Sequence, residues 1–480
     1  MTTPGAVRDT TRQFDAKRPL LIGGSTVLTM SPSTAVMPVA DVLIDGGKIV
    51  AVGPHLSYPD STQVIDGTGK ILLPGLIDAH QHTWQNSLRG IGVDWSLVDY
   101  FKYLISNYID HYTPEDVYAG TLLGATDALT HGSTTLGDWS DGASSPAKAE
   151  AALQALHDAG IRGRFTYANA GVPAQNWATS SHVKETWTKY SDFDHLVSMQ
   201  LAVDSTLDPE FPEKIAWEFA RDNGIRVATH GGGFGWDQSM WIPRLVDNNL
   251  MLPTTMYMHM VSVPDEFIKR IADSGGTIVN APTANMGSGQ GFPQVVTARR
   301  LGATIALASN SETRYTTSIF DAMRTEINTS DLWGHLESES QGYLATANVL
   351  RSPEVLEYAT LGGATALGLQ DRIGSIAVGK SADLLLLSPD PWAIPYRLDP
   401  MSHVVNQGKP ELIDLVMVAG KIVRQHGQIV EGTGVGSDKL MNLVHASQER
   451  LIAAIGENNI IDAIRNPAVT VGRKMRTFLD

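Results

Sequence analysis

Hydrophobic and polar positions alternate in two different textures along the chain. Residues 19–74 hold short β-type runs, such as Leu20-Leu21-Ile22, Val42-Leu43-Ile44 and Ile49-Val50-Ala51-Val52. Gly46-Gly47 between the last two is a two-residue hairpin signal. Val64-Ile65-Asp66-Gly67-Thr68-Gly69-Lys70-Ile71-Leu72-Leu73 predicts another strand pair, and the same texture returns at Ala382-Asp383-Leu384-Leu385-Leu386-Leu387 and Leu415-Val416-Met417-Val418. Two β-rich ends around a different middle predict one small sandwich built from both termini.

The middle alternates strand and helix. Strands are expected at 75–80, 133–138, 162–167, 196–203, 225–230, 254–259, 276–281 and 303–309, with helical patterns between most of them, clearest at 144–160 and 264–274. The latter opens with Pro264-Asp265-Glu266, proline in the first turn and acidic residues after it. Eight strands alternating with helices suit a parallel (β/α)8 barrel, a TIM-like α/β fold. The expected division is a composite β-sandwich from 1–74 and 370–433, a barrel from 75–369 and a helical extension from 434–480. In that extension Leu440, Leu443, Val444, Leu451 and Ile452 fall roughly on one face, for packing or for oligomer contacts.

Candidate chemistry appears where the first of these barrel strands ends, in Pro74-Gly75-Leu76-Ile77-Asp78-Ala79-His80-Gln81-His82. Residues i and i+2 of a strand share a face, so His80 and His82 can reach one metal ion together. His230 and His259 also fall at predicted strand ends, and barrels of this kind place their sites at the carboxyl ends of the strands.

Composition narrows the options. Of 480 residues, 42% are hydrophobic and 18% charged, so a large core can form. A net charge of −15 argues against nucleic acid or an anionic membrane as partner. With no cysteine, thiolate–zinc sites, disulfides and cysteine nucleophiles are excluded, and a metal must use His, Asp, Glu or Asn. Residues 1–18 lack the apolar core of a signal peptide, and no run of about 18 apolar residues predicts a membrane span. A cytoplasmic enzyme, forming a homo-oligomer and acting on a small molecule, is the expectation.

The chain resembles the amidohydrolase superfamily, and within it the chlorohydrolase and cytosine/guanine/adenosine-type deaminase branch, over about residues 19–433. The marks are the 74–82 run followed by Leu88-Arg89-Gly90, Gly132-Ser133-Thr134-Thr135, His230 after Val227-Ala228-Thr229, and His259 after Met256-Tyr257-Met258. Later marks are Ala364-Thr365-Ala366-Leu367-Gly368, Gly374-Ser375-Ile376 and Gly379-Lys380-Ser381-Ala382-Asp383. The resemblance implies a distorted barrel with a composite β-sandwich, and one divalent metal held by His80, His82 and His230. Zinc is expected, with iron or manganese as alternatives. His259 matches the histidine that hydrogen-bonds the metal's water or the substrate, and Gln85 a substrate-contacting glutamine.

Two departures from that pattern matter. The eighth strand runs into Ser309-Asn310-Ser311-Glu312, with Asn310 where the family places aspartate, and Gly233 of His230-Gly231-Gly232-Gly233 stands where the branch has glutamate. Asparagine is neutral and is no base at neutral pH. Glu312, two residues on, is the candidate replacement, ahead of Asp138 and Asp204. Trp84, Trp95, Trp139 and Trp236 are candidates to line an aromatic pocket for a planar substrate, or to pack the core. The glycines suggest a roomy pocket, a flexible loop or a tight turn.

The leading expectation is a metal-dependent hydrolase acting on a non-peptide C–N, C–Cl or related bond of a small cyclic or heteroaromatic molecule. Metal-bound hydroxide would attack, oriented by His259 and Asn310, and Glu312 or the substrate would manage the proton. A lyase, dehydratase or isomerase on the same scaffold, with His259 as acid/base, and a non-catalytic binder are the alternatives.

Overall fold

A computed structural model describes residues 14–31, 35–192, 195–206, 208–232, 240–314, 318–430, 432–465 and 467. Five strands come first: β1 (Leu20–Leu28), β2 (Val36–Asp45), β3 (Lys48–Gly53), β4 (Gln63–Asp66) and β5 (Ile71–Pro74). The barrel strands follow: β6 (Leu76–Gln81), β7 (Ser133–Ser140), β8 (Arg162–Tyr167), β9 (Val197–Ala202), β10 (Val227–Gly231), β11 (Met256–His259), β12 (Thr277–Asn280) and β13 (Thr304–Leu307). Four more close the series: β14 (Leu384–Leu387), β15 (Ile413–Val418), β16 (Lys421–Gln425) and β17 (Gln428–Ile429).

The composite unit is one nine-stranded mixed sheet in the order β17-β16-β15-β14-β5-β1-β2-β3, with β4 also paired to β1. Both ends of the chain meet where β5 runs antiparallel to β14, Leu73 opposite Leu385. Strand β2 alternates buried with partly or fully exposed residues from Ala40 to Asp45, which marks a sheet with one covered face.

The barrel strands lie side by side in chain order, each parallel to the next. Every residue of β6, β7, β8 and β9 is buried, because helices cover the outside while side chains fill the centre. Small residues dominate that filling: Ala79, Ala202, Ala228 and Ala306 pack with Ile77, Met256 and Met258. The outer helices start where the sequence supplies caps. Thr113 forms a capping box with Asp116 on helix Pro114–Thr130, and Ser145 caps helix Pro146–Ala159.

The barrel shuts through one residue. Asn310 N–H donates to the His80 carbonyl (3.0 Å), and the Asn310 carbonyl accepts from His82 N–H (2.7 Å). This isolated parallel bridge with Gln81 lies beyond the end of β13. Asn310 holds a left-handed φ of 74°, which asparagine tolerates better than most residues. Asp78 reinforces the seam, accepting from Ser309 N–H (3.1 Å) and from the Ser309 hydroxyl. Burial pushes the Asp78 carboxyl up to about 7, against the pull of these Ser309 hydrogen bonds.

The C-terminal helices Ser437–Ile455 and Glu457–Arg465 pack on the barrel. Arg450 pairs with Asp116, and the Ala463 carbonyl accepts from the Trp95 indole (2.8 Å). Leu440, Val444 and Leu451 are buried, whereas Ile452 is exposed. Among the described residues, no helix is long and apolar enough to cross a membrane.

Candidate active site

Four imidazoles converge at the carboxyl end of the barrel. His80 lies near the end of β6 and His82 directly follows it, His230 lies on β10 and His259 ends β11. Ring centres of His80 lie 4.8 Å from His82, 5.1 Å from His230 and 5.7 Å from His259. The rings of His82 and His230 are nearly parallel at 5.8 Å, as are those of His230 and His259 at 5.4 Å. One nitrogen from each of His80, His230 and His259 lies within 4.8 Å of the others. His259, expected to orient water or substrate, therefore belongs to the tightest group, and His82 stands beside it. His259 has φ 68° and Met260 φ 48°. Two successive left-handed residues turn the chain sharply off the strand, a strained arrangement of the kind found at functional sites.

Three of the rings are held from behind. His82 Nδ1 meets the Asp141 carboxylate at 2.6 Å, and His230 Nδ1 lies 3.2 Å from both Asp204 oxygens. His259 Nδ1 meets the Asn285 side-chain oxygen at 2.7 Å. Such partners orient a ring and set which nitrogen faces the site. Burial, followed by the neighbouring imidazoles, holds His80 well below the usual histidine range, with Asn310 acting weakly in the other direction. Burial, then His230, takes His259 down to about 3. Burial opposes the charged form of His230, but Asp204 outweighs it and raises the group. Asp204 in turn is raised by burial and lowered more by His230, ending below the usual carboxylate range. Its carboxylate is half-exposed by area yet enclosed by protein, as a group on a cavity wall should be.

A cavity of about 310 Å³ opens above the rings. Trp95, Tyr100, Phe101 and Trp241 supply its aromatic wall, while His82, His230, His259, Asn310, Asp141 and Asp204 supply polar groups. The donor set suits a divalent cation. His80 Nε2 and Asn310 Oδ1 are buried without a hydrogen-bond partner, and an orphaned buried imidazole nitrogen among other imidazoles is the expected face of a metal site.

Several expected residues lie elsewhere. Glu312 does not line this cavity: its carboxylate is held by Arg89 (3.0 Å) and the Gln81 amide (2.8 Å). Trp84 is fully buried in the core, edge-on to Tyr112. Trp139 packs behind the imidazoles, 4.0 Å from the His230 ring centre, and donates to Asp141 (2.8 Å). Gln85 is buried beneath the wall, donating to Tyr100 Oη (2.6 Å) and accepting from the Ser311 hydroxyl (2.6 Å), so it holds two cavity residues rather than the cavity itself. Asp138 is buried against Thr83 Oγ1 at 2.5 Å. Gly232 needs its glycine: φ is 67°, and a Cβ would lie 2.4 Å from the Val261 carbonyl oxygen. Gly233 and Trp236 lie outside the described residues. Asp141, not among the sequence candidates, carries one sequence signal: it directly follows β7, three residues after Asp138.

The amidohydrolase family model matches residues 71–423, and the chain belongs to that family. It is 26% identical over 424 residues to a 5-methylthioadenosine/S-adenosylhomocysteine deaminase of Symbiobacterium thermophilum, covering 84% of this chain and 93% of that one. The fold is shared with an adenosine deaminase from Xanthomonas campestris with bound zinc, at TM-score 0.73 and 22% identity over 90% of this chain and 98% of the other. It is shared also with a zinc complex of atrazine chlorohydrolase from Arthrobacter aurescens TC1, at TM-score 0.75 and 21% identity over 89% of this chain and all (100%) of the other.

Proposed function

We propose that this chain hydrolyses a non-peptide C–N, C–Cl or related bond of a small cyclic or heteroaromatic molecule, with a divalent cation, zinc foremost, held among His80, His82, His230 and His259. The observation that carries this reading is the convergence of four imidazoles, one with an orphaned nitrogen, under a partly aromatic cavity. Relatives named as nucleoside deaminases and a chlorohydrolase support the bond types. A cation bound there supplies Lewis acidity that makes water nucleophilic near neutral pH.

The chain's own residues do the rest. Trp95, Tyr100, Phe101 and Trp241 take a planar ring against their faces and exclude water. Asp141 and Asp204 supply negative charge behind the imidazoles of His82 and His230, while Asn310 and Gly233 stand in the sequence where the resemblance implies carboxylates. Asn310 offers its side-chain oxygen to the cavity as a neutral acceptor. With Glu312 committed to Arg89, Asp204 is the wall carboxylate open enough to carry a proton.

Elemental analysis of the purified protein should find about one metal ion per chain. Turnover of purine nucleosides and of amino- or chloro-substituted triazines in oxygen-18 water should place the label in the product. Metal-free protein with no gain from zinc, iron or manganese would end the proposal. Turnover without label would redirect it to a lyase or isomerase.

A further inference from the structure

A line of buried polar side chains leads away from His259 into the barrel wall. His259 Nδ1 meets Asn285 Oδ1 at 2.7 Å, and Asn285 Nδ2 donates to Asn280 Oδ1 at 2.7 Å. Asn280 Nδ2 then donates to Glu326 Oε2. The second Glu326 oxygen accepts from the Ser330 hydroxyl at 2.8 Å. Asn280 ends β12, Asn285 lies on the short helix Pro282–Gly287, and Glu326 lies on helix Ile319–Ser340. His259 is 5% exposed and the other four are at most 2% exposed, so water does not interrupt the line.

Above about pH 7, where Glu326 is ionised, the chemistry of the far end fixes the direction of every bond. An ionised carboxylate only accepts hydrogen bonds. Asn280 must turn its NH2 to Glu326 and its oxygen to Asn285. Asn285 must then turn its NH2 to Asn280 and its oxygen to His259. An amide oxygen also only accepts, so the proton of the neutral imidazole sits on Nδ1. The orientation of both amides follows from the carboxylate and does not depend on telling N from O in each.

We propose that Glu326 is a positioning residue that sets the tautomer of His259 through Asn280 and Asn285, so that Nε2 meets the cavity as a bare lone pair. In that form His259 serves as a ligand to a cation or as an acceptor for a water proton, and it cannot donate a hydrogen bond to a substrate from Nε2. A buried carboxyl with two hydrogen bonds is an unusual thing to place in a barrel wall for stability alone, because its charge has to be desolvated. The consequence for hydrolysis rests on the function proposed above. The tautomer itself is read without turnover, so a correct tautomer in a chain that hydrolyses nothing would overturn that function and leave this inference standing.

The test uses full-length, chelator-treated protein with 15N-labelled histidine, at about pH 9, where carboxylates are ionised and imidazoles neutral. Burial pushes the Glu326 carboxyl up to about 7, which is why an alkaline pH is chosen. Two-bond proton–nitrogen spectra distinguish the tautomers, and the His259 signals are those lost in His259→Gln. The wild type should show the Nδ1–H form alone. Glu326→Gln can donate as well as accept, so the line loses its fixed direction and both tautomers should appear. Adding Asn285→Asp to Glu326→Gln puts a carboxylate directly on Nδ1 and should restore the single form, a rescue that a purely structural role does not give. Zinc affinity should fall about 10- to 100-fold in Glu326→Gln and recover in the double variant. An Nε2–H tautomer in the wild type overturns the proposal, whether or not the variants fold. So does an unchanged single tautomer in a folded Glu326→Gln, or a mixture that persists in the double variant.

Discussion

His82 and Asp141 face each other across 2.6 Å, ring Nδ1 to carboxylate, and the other Asp141 oxygen accepts from the Trp139 indole at 2.8 Å. The carboxylate is thus fixed on one side by an imidazole and on the other by a buried aromatic ring. It keeps the His82 ring oriented and leaves Nε2 as that ring's remaining nitrogen. Asp141→Asn should lower metal affinity about 10- to 100-fold while leaving the fold intact. Chelator competition followed by elemental analysis measures this, and unchanged affinity would make Asp141 a scaffold residue only.

Gln85 bridges Tyr100 and Ser311 from beneath the cavity wall. Gln85→Leu removes both hydrogen bonds and leaves two polar groups to be rehoused. Stability should fall by about 1–3 kcal/mol, and KM should rise more than kcat falls, because the wall loosens while the imidazoles stay in place. Denaturant unfolding with steady-state kinetics separates these effects. Equal losses in kcat and kcat/KM would instead place Gln85 in the reaction itself.

Asp138 is buried, and burial pushes its carboxyl up to about 7 despite hydrogen bonds from Thr83 that lower it. The folded chain therefore keeps a proton that the unfolded chain releases above about pH 4. Between that point and about 7 the unfolded state binds fewer protons, so the stability from this group is present in acid and is lost as pH rises. Asp138→Asn, neutral throughout, should gain on the wild type by up to about 4 kcal/mol from pH 4 to above pH 7. Unfolding curves of both proteins at the two ends of that range give the difference, and a constant gap would show that Asp138 stays ionised when buried.

Arg162 on β8 holds Asp383, just before β14, with two 3.0 Å contacts in the buried junction between barrel and sheet. Burial alone would lower the guanidinium, and Asp383 keeps it raised. Asp383→Ala leaves that cation without its partner and should cost about 3–5 kcal/mol. Thermal unfolding measures it. A loss below about 1 kcal/mol would mean that water reaches the pair.

The barrel was legible because short strand patterns alternate with helical ones through the middle of the chain. The runs expected at 133–138, 162–167 and 276–281 correspond to Ser133–Ser140, Arg162–Tyr167 and Thr277–Asn280. The histidines were legible because strand ends mark the mouth of such a barrel. Alternation failed at Glu312. Two residues from Asn310 would share its face on a strand, but β13 ends at Leu307 and the left-handed Asn310 breaks the alternation, turning Glu312 to Arg89. Trp84 has the apolar bulk of a pocket residue, and no local pattern separates a wall from a core. The line from His259 to Glu326 joins four separate elements, so no sequence spacing marks it.

Position 310 answers to two demands at once. Its backbone latches the last strand to the first, in a conformation that glycine, asparagine and aspartate adopt most readily. Its side chain meanwhile borders the cavity above the imidazoles. Few side chains keep the ring sealed there, and asparagine differs from the aspartate that the family resemblance implies in charge, with almost no change of shape. An amide at this position therefore keeps the ring sealed without adding charge, and among the described residues Asp141 and Asp204 are the carboxylates that border the cavity.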